Sequence, residues 1–174
     1  GLYDTLTDSL KAEGLPFWEL PGVQPNPRLT PVKEGIRLCR ENGIDFLLAA
    51  GGGSAIDTAK GIAVGVPYNG DVWDFYERKV KAEKALPVGA VLTIPAAGSE
   101  TSDSSVLTKE EGLRKLGCGS PVMIPRFAIM NPELTCTLPA YQTACGASDI
   151  LAHLMERYFT QVDHVDFTHR LLEA

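Results

Sequence analysis

Residues 44–54 read IDFLLAAGGGS, a short and nearly all-apolar run that stops on three glycines and a serine. A run this brief, following a helical pattern, suits a strand buried on both faces of a parallel sheet. The glycines break it, and Ser54 opens a helix through about Val64. Upstream, Thr30 and Pro31 read as an N-cap followed by the proline favoured at the first helical position. Val32, Ile36 and Cys39 make one apolar face of that helix, and Gly43 closes it. Downstream, Gly89–Pro95 (GAVLTIP) repeats the buried-strand pattern and runs into a small-residue loop, Ala96–Ser105. Helix, buried strand, glycine loop, helix is the rhythm of a doubly wound α/β fold with a mostly parallel sheet.

Leu2–Glu13 spaces Leu2, Leu6 and Leu10 four apart and meets Gly14, which predicts an amphipathic helix with a glycine stop. Pro16–Leu20 (PFWEL) reads as a short strand, and Pro121–Met130 as strand pieces around Pro125. From Pro139 the pattern turns helical, over Pro139–Cys145, Ser148–Gln161 and Asp163–Ala174. A boundary near Leu138 therefore divides an α/β dinucleotide-binding domain, residues 1–138, from the beginning of an all-helical domain, residues 139–174. No strand precedes the first helix, and no cap, glycine or proline closes the last. The chain reads as the middle of a longer one, with its sheet incomplete at the N-terminus.

Composition removes several classes of function. The 174 residues carry 16 Lys and Arg against 22 Asp and Glu, a formal charge of −6. Without a basic run, nucleic acid is not the expected partner, because phosphate backbones select basic faces. No apolar stretch approaches the roughly 18 residues that a membrane span needs. The four cysteines, Cys39, Cys118, Cys136 and Cys145, form no C-x-x-C pair and predict reduced thiols in a cytoplasmic protein.

Gly51–Asp57 (GGGSAID) carries the strongest chemical signal. Glycines after a buried strand let backbone approach a ligand closely, and the following helix aims unpaired N–H groups at the turn. A pyrophosphate suits that position. Ser54 and Asp57 also match an S-x-x-D capping box, which needs no ligand. The pattern is neither G-x-G-x-x-G nor a Walker loop, for Lys60 does not follow a glycine. Asp149 and His153 stand four apart on a predicted helix, so both project from one face. Together they can hold a divalent cation or simply bond to each other. His164 and His169 read as solvated. Thr93, Gly98, Ser99, Thr101 and Ser102 form a hydroxyl-rich loop, and Trp73 and Phe75 read as packing residues.

Four ordered motifs together are more specific: GGGSAIDTAK at 51–60, TIPAAGSETSDSSVLT at 93–108, NPELTCTLP at 131–139 and GASDILAHLMERYFT at 146–160. They resemble the iron-dependent alcohol dehydrogenases, with the butanol dehydrogenase branch as the nearest match, over essentially the whole chain. The resemblance implies an α/β domain that binds NADP or NAD and a helical domain that completes a metal site. Gly52, Gly53, Ser54 and Asp57 would meet the pyrophosphate and neighbouring groups. Thr93 and Ser102 would line the loop against the cofactor, Lys115 would lie near its ribose and phosphates, and Leu138 would offer backbone. Asp149 and His153 match the first two of four metal ligands, for Fe(II) or, by displacement, zinc. The other two, both histidines, fall beyond Ala174, and the first strand with its own glycine loop is likewise absent. Ala97 stands where the family usually carries threonine.

The implied reaction is hydride transfer between the nicotinamide and a small primary alcohol or aldehyde, in a protein that is a homodimer at full length. The 174 residues alone are expected to show little of that activity. Two alternatives fit the same residues. One is a relative of glycerol dehydrogenase or dehydroquinate synthase, and the other is a non-catalytic nucleotide-binding module.

Overall fold

The computed structural model describes all 174 residues, Gly1–Ala174. Helix α1, Leu2–Ala12, stops where Gly14 turns left-handed at φ 66°. Two bonds close that stop: Leu15 N–H reaches Leu10 O and Gly14 N–H reaches Lys11 O, each at 3.0 Å. This is the arrangement that satisfies orphan carbonyls at a helix end. Pro16–Leu20 forms no strand, against the sequence expectation. Prolines at 16, 21, 25 and 27 remove ladder donors along this stretch, and Leu20 instead packs on the core.

Helix α2 spans Leu29–Asn42 and ends on Gly43 at φ 63°. Its N-cap is Arg28, so Thr30 and Pro31 lie one and two places inside the helix rather than at its start. Pro31 is tolerated there because first-turn N–H groups have no intrahelical partner. In place of a threonine cap, the Glu110 carboxylate accepts the Thr30 N–H at 3.3 Å.

The sheet forms from the apolar runs. Strand β1, Leu47–Gly51, pairs in parallel with β2, Val88–Leu92, and β2 pairs in parallel with the short β5, Phe127–Ile129. Helix α3, Gly53–Gly65, connects β1 towards β2 and lays Ile56, Ala59 and Ala63 on Ala49, Val88, Ala90 and Leu92. Its other side packs Ile62 and Val64 against Val32, Ile36 and Cys39 of α2 and the aromatic turn α4, Trp73–Tyr76. Each large apolar side chain fully buried in this way contributes about 1.5–3 kcal/mol. Trp73 and Phe75 are buried, as expected of packing residues.

Only β2 is buried at every position. On β1 and β5 the face turned away from α3 leaves Leu48, Phe127 and Ile129 exposed, with Phe46 stacked on Phe127 at 5.9 Å. The expectation that β1 is covered on both faces is therefore not met. Apolar composition reports a preference for burial, whereas coverage depends on which elements lie alongside.

A hairpin absent from the sequence reading follows: β3, Ser104–Lys109, pairs antiparallel with β4, Arg114–Gly119. The turn between them places Gly112 and Leu113 at φ 75° and 49°. The chain divides into two compact units, Gly1–Leu134 and Thr135–Ala174. The second holds α5, Ala140–Tyr158, and α6, Asp166–Glu173, joined where the Tyr158 hydroxyl donates to Glu173 at 3.1 Å. One continuous α5 replaces the two helices expected on either side of Gly146. A single interior glycine costs about 1 kcal/mol, too little to break nineteen residues that otherwise favour a helix. No helix is long and apolar enough to cross a membrane.

Candidate functional site

Two loops meet at the carboxyl ends of β1 and β2, the edge where open α/β sheets bind ligands. Gly51 is the register partner of Leu92, and the Thr93 N–H donates to Gly51 O at 3.1 Å. The glycine turn and the 93–97 loop therefore run side by side. A Cβ on Gly52 would stand 2.6 Å from Ile94 Cγ2, and one on Gly53 would stand 3.0 Å from Ala97 Cβ. Close approach of the second loop is thus what glycine serves here. Gly52→Ala is expected to cost about 1–2 kcal/mol by overpacking. Chemical denaturation checks it, and an unchanged midpoint would show that the loops part freely.

Gly52 is the N-cap of α3 and has no side-chain capping bond. Its carbonyl accepts the N–H groups of Ala55 and Ile56 at 3.0 and 3.2 Å. The N–H groups of Gly53 and Ser54 belong to the first turn, which has no intrahelical acceptors. They form, with the partial positive charge of the helix end, a site suited to an anion.

The Ser54–Asp57 capping box does not form. Asp57 instead turns to the 99–106 segment: the Ser99 hydroxyl donates to Oδ1 at 2.6 Å and the Val106 N–H to Oδ2 at 3.0 Å. Burial raises its pKa above the usual carboxylate value, opposed by those two bonds and by the Lys60 charge. One turn further along, Lys60 is fully buried. Its Nζ donates to Ser102 O at 2.7 Å, Ser102 Oγ at 3.1 Å and Ser104 O at 2.9 Å. Desolvation pushes the Lys60 pKa down, with Asp57, Asp103 and Glu100 pulling it back. Beside this clamp the Tyr76 hydroxyl and Ser105 Oγ lie 2.8 Å apart in the interior. Sequence reasoning assigned Lys60 and Tyr76 no role. The available signal was a lone charge in the small and apolar run 58–66 (TAKGIAVGV), whose positions 58–65 are all buried.

Gly52, Gly53, Ser54 and Asp57 lie on the turn and opening of α3, Thr93 bonds Gly51 beside them, and Ser102 meets the helix further along, through Lys60. Lys115 lies on β4, where its Nζ donates to Asn26 Oδ1 at 2.7 Å. Leu138, Asp149 and His153 belong to the second unit. On α5 the Asp149 Oδ2 and His153 Nε2 are 3.6 Å apart and both side chains are more than half exposed. They are not spent on packing, and a carboxylate beside an imidazole is a donor pair that suits Fe(II) or Zn(II). No group of three or more such side chains that could hold a metal ion occurs, so the pair could by itself fill only part of a coordination shell. Of the other histidines, His164 is exposed, while the His169 ring packs 4.7 Å from Tyr158 rather than standing in solvent.

A parallel sheet whose glycine turn feeds a free helix amino end is an α/β architecture suited to holding an anionic ligand at that edge. The family profile described as "Iron-containing alcohol dehydrogenase" matches residues 1–132, and the chain belongs to that family. It is similar to "Probable NADH-dependent butanol dehydrogenase 2" of Bacillus subtilis, 52% identical over 174 residues, covering 100% of this chain and 45% of that protein. NADH-dependent butanol dehydrogenase A of Clostridium acetobutylicum is 48% identical over 163 residues, 94% of this chain and 42% of that protein. Among solved structures, NADH-dependent butanol dehydrogenase A of Thermotoga maritima superposes with a TM-score of 0.87 at 42% identity, covering 91% of this chain and 40% of that one. The chain thus spans less than half the length of the relatives it matches.

Proposed function

We propose that this chain carries the nucleotide site, and two of the metal ligands, of an NADH-dependent oxidoreductase that interconverts small primary alcohols and aldehydes. One observation carries the reading: the free amino end of α3, with Gly53 and Ser54 N–H groups unpartnered, opens beside the Thr93–Ser102 loop at the sheet's carboxyl edge. The pyrophosphate would rest on those N–H groups, where charge and dipole agree. Thr93 and Ser102 would face the cofactor from the adjoining loop, held by Asp57 and Lys60. Lys115 would approach the ribose and phosphates.

Asp149 and His153 would supply a carboxylate and an imidazole to Fe(II). Bound there, the metal supplies Lewis acidity towards the substrate oxygen. NADH is favoured over NADPH because the relatives of 52% and 48% identity are named NADH-dependent. The same reading places the protein in the cytoplasm as a homodimer.

The test uses the protein expressed from its own gene. Butanal should be reduced with stoichiometric oxidation of NADH, chelator should abolish turnover, and Fe(II) should restore it. Turnover indifferent to chelator would remove the metal, and absence of saturable NADH binding would remove the nucleotide site.

A further inference from the structure

The hydroxyl of Ser102 is in an unusual position for a loop residue. A serine Oγ has two acceptor lone pairs and one proton to donate. Here the fully buried Lys60 ammonium donates to it at 3.1 Å, and the Ser104 hydroxyl and N–H lie at 3.4 and 3.5 Å as weaker donors. Its acceptor capacity is therefore committed. For its own proton, the protein acceptor within reach is Ser104 O, at 3.3 Å. That carbonyl has a lone pair for this bond beside the 2.9 Å bond from Lys60. A length of 3.3 Å is long for a hydroxyl donor, so the Ser102 proton is weakly held and favours a closer acceptor. Ser102 is half-buried, whereas Lys60 is sealed from solvent.

From this geometry we infer that Lys60 is a positioning residue that makes Ser102 a dedicated hydrogen-bond donor, presented to an anionic oxygen of the bound dinucleotide. The inference rests on the nucleotide site proposed above and adds how that site is set. A cation donating into the oxygen polarises the O–H and strengthens the bond it gives. Lys60 Nζ also grips Ser102 O at 2.7 Å, which fixes the residue at both its backbone and its side chain. The charge remains buried and never meets the ligand. Its effect passes through one hydroxyl.

A double-mutant cycle on the protein expressed from its own gene tests this, with NADH as the probe and each variant checked for folding by circular dichroism. Lys60→Gln and Ser102→Ala should each weaken NADH about tenfold, the scale of one hydrogen bond to a charged group. The double variant should lose no more than either single one, because one O–H carries both losses. Losses that add, or wild-type affinity in Ser102→Ala, would overturn the inference. Should Lys60→Gln not fold, nitrogen-15 spectra of the Lys60 ammonium in the unsubstituted protein decide. Saturating NADH should shift that signal, and Ser102→Ala should abolish the shift; a signal blind to NADH would overturn the inference. An unsubstituted protein that binds no NADH takes the nucleotide site and this inference together. One that binds NADH while the cycle is additive removes this inference alone.

Discussion

Replacing Asp149 with alanine is expected to lower turnover of butanal by roughly a thousandfold or more, about 4 kcal/mol of transition-state stabilisation. Nucleotide affinity and melting temperature should hardly change. The separation follows from where the side chain stands. Asp149 is 59% exposed and its carboxylate lies 3.6 Å from the His153 ring. An exposed pair of this kind contributes at most about 1 kcal/mol to folding. Loss of activity in a protein that still melts normally and binds NADH is then a loss of metal ligation. Steady-state kinetics beside a thermal melt make the measurement. Wild-type turnover in a folded Asp149→Ala protein would end the metal assignment.

Lys60→Met should have the largest effect on stability, about 3 kcal/mol. That is the lower end of the range for stranding partners of a buried charge, since Ser104 is exposed and water can reach its carbonyl. Three bonds vanish at once, and Asp57 loses the neighbouring cation that offsets its burial. The pH dependence has a definite sign. Burial lowers the Lys60 pKa in the folded protein below its ordinary 10.5. Through the window beneath 10.5 the unfolded chain therefore binds more protons, so this lysine makes native stability rise with pH. The methionine variant lacks that rise, and the gap between the two proteins should widen as pH approaches 10.5. Guanidinium denaturation at several pH values checks both points. Equal midpoints would show the clamp to be dispensable.

Much of the scaffold was legible from local chemistry. The GGGS turn after IDFLLAA marked the end of β1 and the start of α3, because backbone freedom and helix initiation are properties of adjacent residues. Gly14 and Gly43 ended their helices for the same reason. Errors arose where a distant element intervened. Glu110 caps α2 in place of Thr30, across eighty residues of sequence. The hairpin of β3 and β4 escaped notice because its short strands carry charged and small residues rather than an alternating apolar pattern.

The candidate site shows the same division. Which residues could bind an anion was readable from Gly51–Ser54, and the resemblance of four ordered motifs pointed to Asp149 and His153. The tasks of Asp57 and Lys60 were not readable, since their partners lie forty-two to forty-nine positions away. An aspartate three residues after a serine looks the same in the text whether it caps a helix or holds a loop.

By itself, the order of residues determined the α/β rhythm, the glycine turn and the helix ends, all of which depend on backbone preferences over a few neighbours. Tertiary structure alone decided that Gly52 and Gly53 yield to Ile94 and Ala97, that Asp57 faces Ser99, and that Lys60 is sealed beneath Ser102. Those outcomes depend on desolvation and hydrogen bonding between segments that only folding brings within 3 Å of one another.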